Sequence, residues 1–226
     1  MKQLMNRNGI LNLITILIDQ HPSATDFLER HLLHSGGVYD ISKETTKNIC
    51  SKYPGLNDKL IPEEIALASG LHDVGRILSA NQLFHELRGA EYIEKNALKL
   101  GVVDSEIDAY RVAQMFRPHF LVYEQFNDSN NFEARKDFEY LDSSLLLPRT
   151  WPEAIVVYSD LSLVDGERVS VDERIIDIER KYSNTSNDII HSLEKGKTRL
   201  LKLAERVEKL ENGKMNGAEI MQYGFL

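Results

Sequence analysis

Apolar residues recur at three- and four-residue steps through most of this chain, a period that predicts helices. The first helix is expected from about Gly9 to Gln20, over the stretch ILNLITILI. His21-Pro22-Ser23 breaks it, and Ser23 can cap its successor. The second helix carries Phe27, His31, His34, Val38, Ile41 and Ile49 on one inward stripe, with Thr45 in the gap, until Pro54-Gly55 turns the chain. Pro62-Glu63-Glu64 opens the third, with proline at the first helical position and acids in the first turn. It continues through Ile65, Ala66, Ala68 and Leu71 and is expected to end at Gly75, which puts His72 and Asp73 in its last turn. Another helix holds His85, Gly89, Ala90 and Ile93. The next is expected from about Ser105 to Gln125, with His119 in its second half behind Pro118.

Residues 127–152 are irregular, and prolines at 148 and 152 suggest a surface loop. The apolar run from Ala154 to Leu163 contains Asp160. Its trio Ile155, Val156 and Val157 would suit a strand, but a buried helix fits better beside helical neighbours. From Asp188 to Leu210, charges alternate with Ile189, Leu193, Leu200, Leu203, Val207 and Leu210, the pattern of a long amphipathic helix packed on the body or on a partner. The fold expected is therefore all-α, in three stretches. These are an N-terminal helix over 1–24, a core over 25–175 and a C-terminal helical extension over 176–226.

Composition adds bounds. A chain of 226 residues can bury a sizeable core unaided. The net charge of -8 disfavours binding to a nucleic-acid duplex. It leaves room for a small anionic substrate if a metal reverses the local field. One cysteine, Cys50, permits no intrachain disulfide, and a reducing cytoplasm is the simplest compartment. Lys2 and Arg7 ahead of Ile10 to Ile18 resemble the start of a signal peptide. Asn12, Thr15 and Asp19, and the lack of an A-x-A site, favour an amphipathic helix, and the stretch is too short to span a bilayer.

The chemistry begins at His72-Asp73 in IALASGLHDVGR. An ionisable pair at the end of an apolar helix costs free energy unless it is paired or metal-bound. Imidazole and carboxylate together suit Mn, Fe, Zn or Mg. Walker loops, G-x-G-x-x-G, G-x-S-x-G and C-x-x-C are missing. With His34 in HLLHSGGVYDIS and Asp160 in VVYSDLSLVDGERV, the chain resembles the HD-domain metal-dependent phosphohydrolases over roughly Thr25 to Glu173.

The resemblance implies an HD-domain helical bundle and a divalent-metal site formed by His34, His72, Asp73 and Asp160. His85 in HELRGAEYI and His119 in RPHF are similar to the further ligands of two-metal branches, in which Asp73 would bridge the ions. Many two-metal members have a His-His pair where this chain has Pro118-His119. One or two ions are thus expected, of Mn, Fe, Co, Mg, Ni or Zn. His31 competes with His34, whose following Ser35 and Val38 match the family better. His21 and His191 read as surface residues. Asp73 and Arg76 are the expected catalytic residues, and Arg76, Arg88 and Arg117 the expected phosphate contacts. No general acid can be assigned from sequence, with Glu86 and Asp128 only two candidates among the acids. The implied activity is hydrolysis of a phosphate ester or anhydride, most simply in a nucleotide, by an activated hydroxide. The alternatives are a regulatory HD module that binds a ligand or partner without turnover, and a di-iron oxygenase. No membrane contact is expected, and a homodimer remains open.

Overall fold

The computed structural model describes residues 4–21, 28–79, 81–183 and 186–221. Ser23 and Phe27, read above as a cap and a stripe residue, lie outside them. The class is all-α. The longer helices are α1 (Arg7–Gln20), α2 (Leu28–Lys52), α3 (Pro62–Leu71), α5 (His85–Asn96), α6 (Glu106–Phe116), α9 (Trp151–Leu161), α10 (Val171–Tyr182) and α11 (Asn187–Glu211). Short α4 (Val74–Leu78), α7 (Val122–Phe126), α8 (Phe132–Arg135) and α12 (Gly217–Met221) complete the series. Among the described residues, the strands are β1 (Leu163–Val164) and β2 (Glu167–Arg168), paired antiparallel. Asp165-Gly166 joins them, both residues at positive φ, the geometry of a tight hairpin turn.

Two helices form the centre. In α3 every residue from Glu64 to Leu71 is buried, and α9 buries Trp151 and all of Ala154 to Leu161. Helices apolar on all sides belong inside a bundle. The β-branched trio of α9 is helical because its start is strongly specified. The Thr150 hydroxyl accepts from Glu153 N, the Glu153 carboxylate accepts from Thr150 N, and Pro152 sits in the first turn. Around this pair pack α2, α6 and α11. α1 contributes Ile10, Leu13, Ile14, Leu17 and Ile18 to the same core, and α11 contributes Leu193, Leu200, Leu203, Val207 and Leu210. None of the described helices is long and apolar enough to cross a membrane.

Two boundaries differ from expectation. The third helix does not run to Gly75: α3 stops at Leu71, His72 and Asp73 form a turn, and Gly75 lies inside α4. A Cβ at Gly75 would sit 1.8 Å from the His85 carbonyl oxygen and 2.8 Å from Gly89 N. The glycine serves backbone contact between α4 and α5 rather than a helix stop. The helix expected from Ser105 to Gln125 is two helices. Pro118 lacks the N–H a helix would use, so the ladder stops there even though Arg117 before it still has helical φ -57 and ψ -45. The chain therefore leaves α6 after Phe116, turns through Pro118-His119-Phe120 and resumes as α7. The surface loop expected over 127–152 instead carries short helical turns between Ser129 and Leu146, and Trp151 and Pro152 already belong to α9. Phe138 and Leu146 from these turns join Phe84, Leu87, Val122 and Phe126 in a second small core.

Candidate metal centre

Each element delivers one or two polar side chains to the same interior point. α2 brings His34, the turn after α3 brings His72 and Asp73, and the first turn of α5 brings His85 and Glu86. His119 comes from the α6–α7 turn and Asp160 from α9. All are buried except His34, which is half-exposed at the mouth. His34 Nε2 lies 3.2 Å from His72 Nε2, 3.0 Å from Asp160 Oδ1 and 3.8 Å from Asp73 Oδ2. Asp73 Oδ1 lies 2.9 Å from His85 Nε2, and Asp160 Oδ2 lies 3.1 Å from His119 Nε2. The His72 and His119 rings pack with centroids 4.7 Å apart.

Ring orientation follows from backbone contacts. His72 Nδ1 donates to Ser69 O at 2.5 Å, and His85 Nδ1 donates to Gln82 O at 2.9 Å. With the proton on Nδ1, a neutral imidazole has a bare lone pair on Nε2. Burial lowers the pKa of His72 to about 4 despite the opposing pull of Asp73, so the ring is neutral at pH 7. Its Nε2 lone pair faces another imidazole nitrogen and, at 3.6 and 3.7 Å, oxygens of Asp73 and Asp160. Acceptors gathered this closely in a buried space are stabilised by a proton or a cation among them. Both ring nitrogens of His119 are also buried without a well-formed hydrogen bond.

Burial alone would raise the pKa of both aspartates. Arg76, His72 and His85 overcome it at Asp73, and His119 and His34 overcome it at Asp160, so each is held well below the usual carboxylate range. Burial likewise opposes charge on His119, but Asp160 and Glu86 prevail and push its pKa up to about 9. That imidazolium partly supplies the positive charge the cluster requires.

One ligand atom from each of His34, His72 and Asp160 lies within 4.8 Å of the others, and the same holds for His85, Glu86 and His119. Either group could hold a metal ion. The two aspartates touch both groups, so all six expected ligands come together. His31 competes poorly: it is half-buried on the wall of the outer cleft and belongs to neither group.

Glu86 is the addition. It sits 3.3 Å from His85 Nδ1 and 3.9 Å from His119 Nδ1, on the sides of the rings away from the aspartates. Burial favours its neutral form, but His85, His119 and Arg76 lower its pKa. A carboxylate in that state orients imidazoles and does not serve as a proton donor. The HE pair opening α5 is its only sequence signal. Asp128, the other acid considered, caps a helical turn at Asn130 N and pairs with Lys195 Nζ at 3.1 Å, away from the cluster.

The arginines divide. Arg76 lies at the site, its Nε 2.8 Å from Asp73 Oδ1, and lines both cavities that open from the cluster. Arg88 instead donates to the carbonyls of Asn81 and Leu83. Arg117 pairs with Glu94 at 2.8 Å. Neither lines either cavity. Cys50 is half-buried, donates to Leu60 O and has its pKa raised by burial, the properties of an unreactive thiol. Comparison with known proteins finds no matching family model, no matching curated protein and no matching solved structure.

Proposed function

We propose that this chain is a metal-dependent phosphohydrolase of the HD-domain type, acting on a phosphate ester or anhydride of a small molecule, most simply a nucleotide. The convergence of four imidazoles and two carboxylates from five separate stretches of chain onto one buried point carries this reading. His34, His72 and Asp160 would hold one divalent ion and His85 and His119 a second, with Asp73 between them and Glu86 orienting the last two imidazoles. Such an ion supplies Lewis-acid polarisation of a phosphoryl oxygen and acidifies water.

The chain's own groups have separate tasks. Ser69 O and Gln82 O fix the imidazole tautomers, which keeps Nε2 of His72 and His85 free to ligate. Arg76 is held by Asp73 through Nε and makes a long contact from Nη1 to Gln82 Oε1 at 3.4 Å, which leaves donors able to grip phosphate oxygens at the cavity mouth. Leu121, Ile178 and Ile189 line the inner cavity and limit water there.

The test is phosphate release from a nucleotide panel and from p-nitrophenyl phosphate by Mn- or Co-loaded protein. We expect turnover that Asp73→Ala abolishes. Metal-replete protein that releases phosphate from none of these would overturn the reading and favour a regulatory module. The pairing of two three-residue ligand groups would also suit two irons, and oxygen uptake by the iron-loaded protein would favour the oxygenase instead.

A further inference from the structure

The hydrolase reading leaves one part of the cleft unexplained. A cavity of about 750 Å³ opens outward from His34, Asp73 and Arg76 between the start of α2 and the length of α10. Its cations are Arg30, Arg76, Arg174, Arg180 and Lys181, and its acids are Asp73, Asp165 and Asp177. Cations outnumber acids along this lining, so the outer cleft is cationic in a protein whose net charge is -8.

α10 carries most of this charge. Its DERIIDIERKY pattern places Arg174, Asp177, Ile178, Lys181 and Tyr182 on one face by the three- and four-residue rule. Asp177 accepts from Arg174 Nη1 at 3.1 Å and from Arg180 Nη2 at 2.8 Å. One carboxylate thus holds two guanidiniums side by side, while each keeps most of its five donors for other partners. Arg174 is the innermost of them. It lines both the outer cleft and the inner cavity that contains His85, Glu86 and Asp160. Its Nε is buried without a hydrogen-bond partner.

We propose, resting on the hydrolase reading, that Arg174 with Arg180 and Lys181 forms a second anion subsite, and that the substrate carries a diphosphate unit rather than a lone phosphoryl group. Arg76 takes the phosphoryl group nearest the aspartates, and the α10 cations take its neighbour. Two guanidiniums prearranged by a shared carboxylate suit the several oxygens of an adjacent phosphoryl group.

The experiment is calorimetric titration of metal-loaded protein with methylenediphosphonate and with methylphosphonate, with metal content checked afterwards. Wild type should bind the diphosphonate about tenfold or more tightly, the scale of one or two charge-assisted hydrogen bonds. Arg174→Gln should bring the two affinities to within about twofold of one another. Should that variant fail to fold, Arg180→Gln with Lys181→Gln decides. Both side chains are exposed, and the pair should reduce the preference about threefold or more. Equal wild-type affinities, or equal losses for both probes in the variants, overturn the subsite. Diphosphonate preference without phosphate release from any substrate leaves the subsite standing and overturns the hydrolase. Turnover of monoesters without that preference does the reverse.

Discussion

Two buried imidazoles less than 5 Å apart are driven in opposite directions, His72 down to about 4 and His119 up to about 9. The folded-state value of His72 lies below its ordinary 6.5, so on acidification the unfolded chain takes up that proton first. Its contribution to stability is complete above pH 6.5 and is lost as pH falls towards 4. The depressed pKa values of Asp73 and Asp160 extend that loss to lower pH, below the ordinary carboxylate value of 3.8. His119 behaves oppositely: its contribution is complete below pH 6.5 and is lost as pH rises through 9. Urea unfolding of chelator-treated protein at about pH 5, 6.5 and 9.5 should therefore show maximal stability at the middle value. His119→Ala should flatten chiefly the alkaline limb, and stability that climbs steadily to the alkaline end would contradict the assignment. His72 and Asp73 stood out in sequence because an imidazole and a carboxylate at the end of an apolar helix demand a partner, whereas His34, His85, His119 and Asp160 were reached through the family resemblance. The placement of the arginines was not legible. Arg88 and Arg117 lie close in sequence to His85 and His119, yet a long side chain takes its direction from tertiary acceptors that local spacing does not encode. Arg174 lies on α10, which crosses the core boundary expected at residue 175.

Most helices follow directly from the three- and four-residue apolar period, and the misplaced boundaries arise where a tertiary contact overrides it. Gly75 looked like a helix stop because glycine commonly is one, whereas its role is to let the α4 backbone touch that of α5. Pro118 was visible, but the turn it creates depends on a contact from far along the chain. Phe120 is held at φ 43, a strained value for a residue with a side chain. Arg199 of α11 donates to the Phe120 carbonyl at 2.8 Å and grips both Glu124 oxygens at 2.9 Å. The Arg199–Glu124 pair is buried, and Gly196 lets α11 approach Glu124 and Leu121 closely. This clamp fixes the turn that presents His119. Arg199→Ala leaves a buried carboxylate unpaired and should cost about 3–5 kcal/mol. Equilibrium denaturation measures that loss, and replacing Glu124 with Leu in the same background should recover part of it. A loss under about 1 kcal/mol would show that the clamp contributes no more than an exposed pair.

Across the whole molecule, the all-α class could be read from periodicity and from sparse glycine and proline. How the tail relates to the body could not, because an amphipathic face does not say what covers it. In the structure α11 lies against α9, α7, α10 and α2, and the chain beyond it is tied back at several points. Trp151 Nε1 donates to Ile220 O, the Tyr53 hydroxyl bridges Met215 N and O, and Glu211 accepts from Asn48 and Arg168. Leu193, Leu200, Leu203, Val207 and Leu210 are 1% exposed or less. Burying each such side chain is worth about 1.5–3 kcal/mol. Their sum is comparable to the 5–15 kcal/mol that typically separates a folded domain from its unfolded chain. Deleting 187–226 should therefore unfold the body rather than trim it, and the Phe120 turn would lose its clamp in the same step. Circular dichroism melts decide this: we expect the truncated chain to lack a cooperative transition. A truncated protein that melted cooperatively near the full-length midpoint would show that α11 is an appendage and that the His/Asp/Glu cluster is held by the remaining helices alone.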